Sequence, residues 1–267
     1  MINKRKIIIN ITAIFALATL WHMTFHEAGH FVAAVLLHAK NVALFHNYAS
    51  YDSTGLPLNS SIIIAATGPV VSLFVGVFFH FICSQYKNRN LFFLFLLYMS
   101  AFGYIGFFGY LMISPIFANG DTGFIFSALN FPLWLKIVCA LAGVALGYLV
   151  MKKLAPFFLE MLPANMTGDK KVRKQSLDMI IESPLYLGIA VTVLFNLPVY
   201  SSLSLIYPAC SPFALYWPHG HAEKMEGVKP NTQEAFEKLN KLSIPLLTLL
   251  AISVVINRLL VMGLYWQ

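Results

Sequence analysis

A chain of 267 residues that is 58% hydrophobic, only 11% charged and +0.72 in mean hydropathy has too much apolar surface for a soluble domain, which points to a polytopic membrane protein. Its net charge of +7 is not the footprint of a nucleic-acid binder, because the Lys and Arg residues gather at the ends of apolar runs. Cys83, Cys139 and Cys210 are an odd count, and they form neither a disulfide framework nor a Cys-x-x-Cys metal site.

Lys4, Arg5 and Lys6 precede the first apolar run. The run shows no clean cleavage site, so it is read as a retained first span rather than a leader. A spanning helix needs about 20 apolar residues. By that measure the chain is an all-α membrane protein of about six transmembrane helices, near residues 7–37, 61–83, 91–116, 133–151, 184–206 and 244–264. The polar break at 39–60 contains Val42-Ala43-Leu44-Phe45 and Tyr48 to Tyr51, with Ser53-Thr54-Gly55 and Pro57 as turn chemistry. It reads either as a short strand-like pair or as an irregular connector.

The first span carries His26-Glu27-Ala28-Gly29-His30. Histidines four apart share one helix face, so both imidazoles can reach one metal ion. Glu27, one residue on, faces elsewhere and is placed to deprotonate a metal-activated water. Three ionisable side chains inside a span are costly and mark a functional site by default. The competing reading is that the histidines only hydrogen-bond to neighbouring helices.

Further along, Gly68-Pro69 loosens the start of the second span. Gly103, Gly106 and Gly109 in the third span, with Gly143 and Gly147 in the fourth, are small-residue faces for close helix packing. Between these spans lies Ser114 to Gly123, where Pro115, Gly120 and Gly123 interrupt the helix around Asp121. Asp121 is the only acidic residue between Asp52 and Glu160. Residues 124–131 read as a half-helix joined to the fourth span with a kink at Pro132.

Residues 152–182 carry Lys152, Lys153, Lys170, Lys171, Arg173 and Lys174, and read as a loop touching anionic lipid. In the polar stretch 207–243, Asn231 and Glu234 have capping-box spacing and predict a short interfacial helix. The basic loops put both termini on the cytoplasmic side. With six spans, His26, Gly68-Pro69 and Asp121 then converge toward the opposite side. A catalytic zinc takes three protein ligands and a water, and His26, His30 and Asp121 supply the three. His22 shares the face of His26, but it lies about 12 Å along the axis from His30, too far for one ion. His219 and His221 are the competing third ligands.

These residues resemble the site-2 protease family of intramembrane zinc metalloproteases. The likeness rests on His26, Glu27 and His30, on Gly68-Pro69 in the next span and on Asp121 before a later one, and it covers about residues 20–150. Two positions depart from the family pattern: Thr122 stands between Asp121 and Gly123, and Ser72 stands where an Asn is common three residues after the Pro. The resemblance implies a protease core at 1–151, followed at 152–267 by a basic loop, two further spans and a polar loop. It implies Zn²⁺ held by His26, His30 and Asp121, with Glu27 as catalytic base. Gly68, Pro69 and Asn119 would lie near the substrate, Asn119 taking the polar role of the missing Asn. The expected partners are the bilayer and a membrane-protein substrate, typically single-span and already trimmed, docked in extended form on the 39–60 segment. The alternatives are a membrane-embedded zinc-dependent lipid amidase or hydrolase, which would need further histidines in other spans, and a non-catalytic metal transporter or scaffold, which would need polar residues in several spans.

Overall fold

The apolar run after residue 6 becomes α1 (Lys4–Leu36), the 33-residue axis of the protein. Asn3 starts it by accepting a hydrogen bond from the Lys6 amide at 3.3 Å. The computed structural model describes residues 3–266 except 200, 201 and 229, and describes only the backbone at 202, 203 and 233–235. After α1 the chain reverses through His38 and Asn41, both in the left-handed region (φ 56° and 51°). It then forms an antiparallel hairpin of β1 (Lys40–Leu44) and β2 (Ala49–Asp52), with Leu44 opposite Ala49 and a register shift between Lys40 and Ala43. Next come α2 (Leu58–Gln85), α3 (Leu91–Ile113), the short α4 (Asp121–Ala128) and α5 (Leu133–Leu159). A continuous helical rod follows: α6 (Lys170–Leu177), a π-helical turn (Asp178–Glu182) and α7 (Ser183–Phe195). The rest comprises α8 (Ile206–Cys210), α9 (Tyr216–Ala222), α10 (Gln233–Lys238), α11 (Ile244–Leu260) and β3 (Leu264–Trp266).

Among the described residues, five helical segments are long and apolar enough to cross a membrane: α1, α2, α3, α5 and the rod at Lys170–Phe195. α11 is apolar but has only 17 residues. The apolar window of α3 is 78% buried, whereas that of α5 is 11% buried, so α3 lies inside the bundle and α5 turns its side chains outward. Phe15 of α1 meets Phe102 of α3 edge-on at 5.0 Å, in the middle of the core. α2 and α3 cross backbone to backbone: a Cβ on Gly103 would lie 2.2 Å from the Gly76 nitrogen. The Ser100 hydroxyl donates to the Gly76 carbonyl at 3.0 Å at the same crossing. Gly109 meets nothing within 4 Å, so it is not part of the packing face that its spacing suggests.

The first four expected spans appear at their expected places; the second half differs. The fifth helix occupies 170–195 instead of 184–206. Its basic start reads as a loop, yet Asp169 caps it by accepting from the Val172 amide (2.9 Å). Arg173 is buried because backbone carbonyls accept from its guanidinium: it donates to that of Glu223 at 2.9 Å and to that of Thr167 at 2.8 Å. Residues 196–243 are not a simple loop at one end of the bundle. They run back along it as short helices broken by Pro198, Pro208, Pro212 and Pro218. Tyr207 bonds to His22, Asn231 Nδ2 donates to the Arg89 carbonyl (2.9 Å), and Asn240 accepts from the Asn3 amide (2.9 Å). α10 forms where a short helix was expected. The Glu234 side chain of the expected capping box lies outside the described residues, and the Asn231 amide group turns inward.

This return passage separates the two ends of the chain. α11 starts beside Asn10, whose Oδ1 accepts from the Ser243 amide at 3.0 Å, and its Arg258 donates to the carbonyls of Phe195 and Leu197 at the far end of α7. β3 then pairs with β1, Leu264 opposite Leu44, completing a sheet of order β2-β1-β3. Asn3 and Trp266 therefore lie at opposite ends of α1, and the passage between α7 and α11 is missing from the six-span count. The reason is that a proline-broken passage escapes a count based on runs of about 20 apolar residues. The expected half-helix at 124–131 is α4 at 121–128; it ends at Asn130 (φ 55°), and Pro132 opens α5 as a separate helix.

Candidate metal centre

α1 stacks His26 and His30 one turn apart, with their Nε2 atoms 3.2 Å from each other. Asp121 is the first residue of α4 and completes the group: its Oδ2 lies 3.0 Å from His26 Nε2 and 3.2 Å from His30 Nε2. The helix break expected around Asp121 is what aims it. Gly120 is extended before the first helical residue, and the Phe117 turn folds so closely onto α4 that a Cβ on Gly123 would sit 1.9 Å from the Phe117 carbonyl oxygen. Glycine at 123, one place later than the family pattern has it, is therefore demanded by sterics.

The outer nitrogens of both imidazoles are anchored on α2. His30 Nδ1 lies 2.7 Å from the Ile64 carbonyl, which can only accept, so Nδ1 carries a proton and Nε2 is the ring atom turned toward Asp121. His26 Nδ1 lies 2.9 Å from the hydroxyl of Ser72, which is fully buried. Such outer hydrogen bonds to carbonyls or hydroxyls are what orient metal-binding histidines. Gly68 leaves the space between the rings: a Cβ there would lie 2.2 Å from His30 Nε2 and 2.8 Å from His26 Nε2. Tyr110 of α3 closes the other side, stacked on His26 with centroids 5.1 Å apart and planes at 9°.

The donor set fits a divalent metal. Tetrahedral coordination with bonds of about 2.0–2.1 Å puts ligand atoms roughly 3.3–3.4 Å apart, close to the 3.0–3.2 Å found. The Asp121 carboxylate beside the two ring nitrogens is balanced by positive charge, which a protonated imidazole or a metal ion supplies. His26, His30 and Asp121 could thus hold one ion.

No family model, curated protein or solved structure matches this chain. Its chemistry is therefore argued from the site alone. Glu27 follows His26 and lines the same cavity of about 920 Å³, where the backbone amide of Ala49 on β2 faces its carboxylate. Tyr48, Ala49 and Tyr51 of the hairpin and Asn119 of the 114–120 turn also line it, Asn119 at an exposed position. Pro69 is buried beside Gly68 and cannot donate to the Ala65 carbonyl one turn back, which lies on a cavity-lining residue. On the hairpin, burial pushes the Tyr51 phenol up, keeping it a neutral hydroxyl. The Thr54 hydroxyl and amide hold the Asp52 carboxyl below its usual range.

The competing ligands lie elsewhere. His22 Nδ1 bonds the Tyr207 hydroxyl at 2.7 Å, and His219 Nε2 pairs with Asp178 at 2.8 Å. His80, in α2, lies 3.0 Å from the Tyr104 hydroxyl. Two contributors were not singled out from the sequence, Tyr110 and the Ile64 carbonyl, and Ser72 was noted only as a departure after Pro69, not as the support of His26. Ser72 follows Gly68 by four residues and so shares its helix face, a signal that was available. Tyr110 is one aromatic among many and carries no such signal. Ser72→Ala removes only the support behind His26. It is expected to weaken metal binding by about 10–100-fold, read by competition with a chelator of known affinity.

Proposed function

We propose that this chain is a zinc-dependent intramembrane protease of the site-2 type, hydrolysing peptide bonds of membrane-spanning substrates. The observation that carries the reading is the meeting of His26, His30 and Asp121 within 3.0–3.2 Å, from two segments far apart in sequence, with a carboxylate on the adjacent residue facing the same cavity. The setting among long apolar helices adds the membrane.

His26, His30 and Asp121 are the zinc ligands in this reading. Zinc there supplies Lewis acidity, polarising a carbonyl and bringing the pKa of water to about 7. Glu27 takes the proton of the attacking water as its oxygen bonds to the carbonyl carbon, and delivers a proton to the amide nitrogen as the C–N bond breaks. Ser72 and the Ile64 carbonyl keep the imidazoles oriented throughout. A helical substrate hides its carbonyls, so it must unwind, and unwound backbone in an apolar setting needs new hydrogen-bond partners. β2 lies at one side of the three-stranded sheet, and its residues Ala49 and Tyr51 line the cavity beside Glu27. An extended segment added to β2 would have its backbone groups satisfied while one carbonyl approaches the ligand cluster.

The test is purified protein in liposomes with single-span substrates. Cleavage is expected, stopped by a zinc chelator and restored by added Zn²⁺. Bound zinc accompanied by ion flux and no proteolysis would replace this reading by a transporter.

A further inference from the structure

A second set of donors lies apart from the His26 centre. Asp178 and Glu182 bound the π-helical turn inside the 170–195 rod, and His219 comes from α9 on the return passage. One donor atom from each lies within 4.8 Å of the other two. His219 is buried, with Nε2 2.8 Å from Asp178 Oδ1, while the Asp178 side chain is 33% exposed at the surface of the bundle. Glu182 Oε1 accepts from the Tyr216 hydroxyl at 3.1 Å, and that hydroxyl is 2.5 Å from the Tyr186 hydroxyl. One oxygen of Glu182 is thus oriented from outside, the arrangement that supports metal-binding carboxylates.

Two carboxylates one turn apart beside one imidazole keep a net negative charge even when the imidazole is protonated. The His219–Asp178 contact therefore does not complete the group electrostatically. The wide turn is itself informative. The Ser183 amide bonds the Asp178 carbonyl five residues back, a rare geometry that is frequent at functional sites.

We propose that Asp178, Glu182 and His219 form a second divalent-metal site, of Zn²⁺ or Mn²⁺ class, that fastens α9 to the π-helical turn. One imidazole and two carboxylates suit these borderline ions, with water filling the remaining positions. The consequence reaches the cavity. α9 carries Trp217 two residues before His219, and Trp217 forms cavity wall beside Gly147 of α5. An ion at the second site fixes that wall, so occupancy there sets the shape of the cavity from the side away from the hairpin.

The inference stands apart from proteolysis and is tested without it. The probe is Mn²⁺, added to the full chain in detergent carrying His26→Ala and His30→Ala, with free Mn²⁺ followed by electron paramagnetic resonance. One saturable equivalent is expected, abolished by adding His219→Ala. Tyr216→Phe, which removes only the outer hydrogen bond, is expected to weaken it by about 10–100-fold. Absence of saturable binding in the double variant, with helicity and melting preserved, would overturn the proposal. So would an equivalent that both His219→Ala and Tyr216→Phe leave unchanged.

Discussion

For the proposed protease, Glu27→Gln is expected to lower the rate of substrate cleavage by about 10²–10⁴-fold and to leave bound metal at the wild-type level. Glutamine keeps the length and volume of the side chain, and its carbonyl oxygen still faces the Ala49 amide, so the hairpin stays where it is. The three donor atoms come from His26, His30 and Asp121 and are untouched. What disappears is the group able to take a proton from water. The measurement pairs single-turnover cleavage in liposomes with elemental analysis of the same preparation. Unchanged cleavage would remove Glu27 from the role of base, and loss of metal would make Glu27 part of the binding group instead.

Gly68→Ala acts on the opposite half of the problem, the binding of the ion. The added methyl would sit 2.2 Å from His30 Nε2 and 2.6 Å from its Cε1, well inside contact distance. Neither ring can turn aside freely, because His30 Nδ1 is tied to the Ile64 carbonyl and His26 Nδ1 to Ser72. Forcing a methyl into such a place costs about 1–3 kcal/mol. At about 1.4 kcal/mol per factor of ten, metal affinity is expected to fall roughly 5- to 140-fold. Gly109→Ala is the matched control: its Cβ would meet nothing within 4 Å, so metal affinity stays at the wild-type value. Chelator competition measures both. Equal affinities for the two variants would show that the imidazoles do not close over Gly68 when the ion is bound.

The two variants probe different parts of one arrangement. Gly68 and Ser72 lie one turn apart on α2, one leaving room for the rings and the other holding His26 from behind. Losing either is a loss of metal, whereas losing Glu27 is a loss of chemistry with the metal in place. That separation keeps the proposal open to refutation at each of its steps.

Much of the site is written locally in the chain. Helical periodicity alone puts His26 and His30 on one face, and Glu27 about 100° from His26, because 3.6 residues complete a turn. The runs of apolar residues set the long helices, and the break that frees Asp121 falls at Pro115 and Gly120, while Gly123 lies inside α4. Tertiary packing decided the rest. Ser72 and the Ile64 carbonyl reach the imidazoles because α2 packs on α1, where a Cβ on Gly29 would lie 2.9 Å from Val71 Cγ2, and Tyr110 comes from α3, which crosses α2 at Gly76 and Gly103; no local period links these residues. Arg173 sits in a helix because distant carbonyls satisfy its guanidinium, and a charged stretch whose partners are elsewhere reads as a loop. The passage at 196–243 and the third strand at Leu264–Trp266 escape notice for the same reason. Their backbone hydrogen bonds and buried faces are completed by other parts of the chain, so composition within the segment does not reveal them.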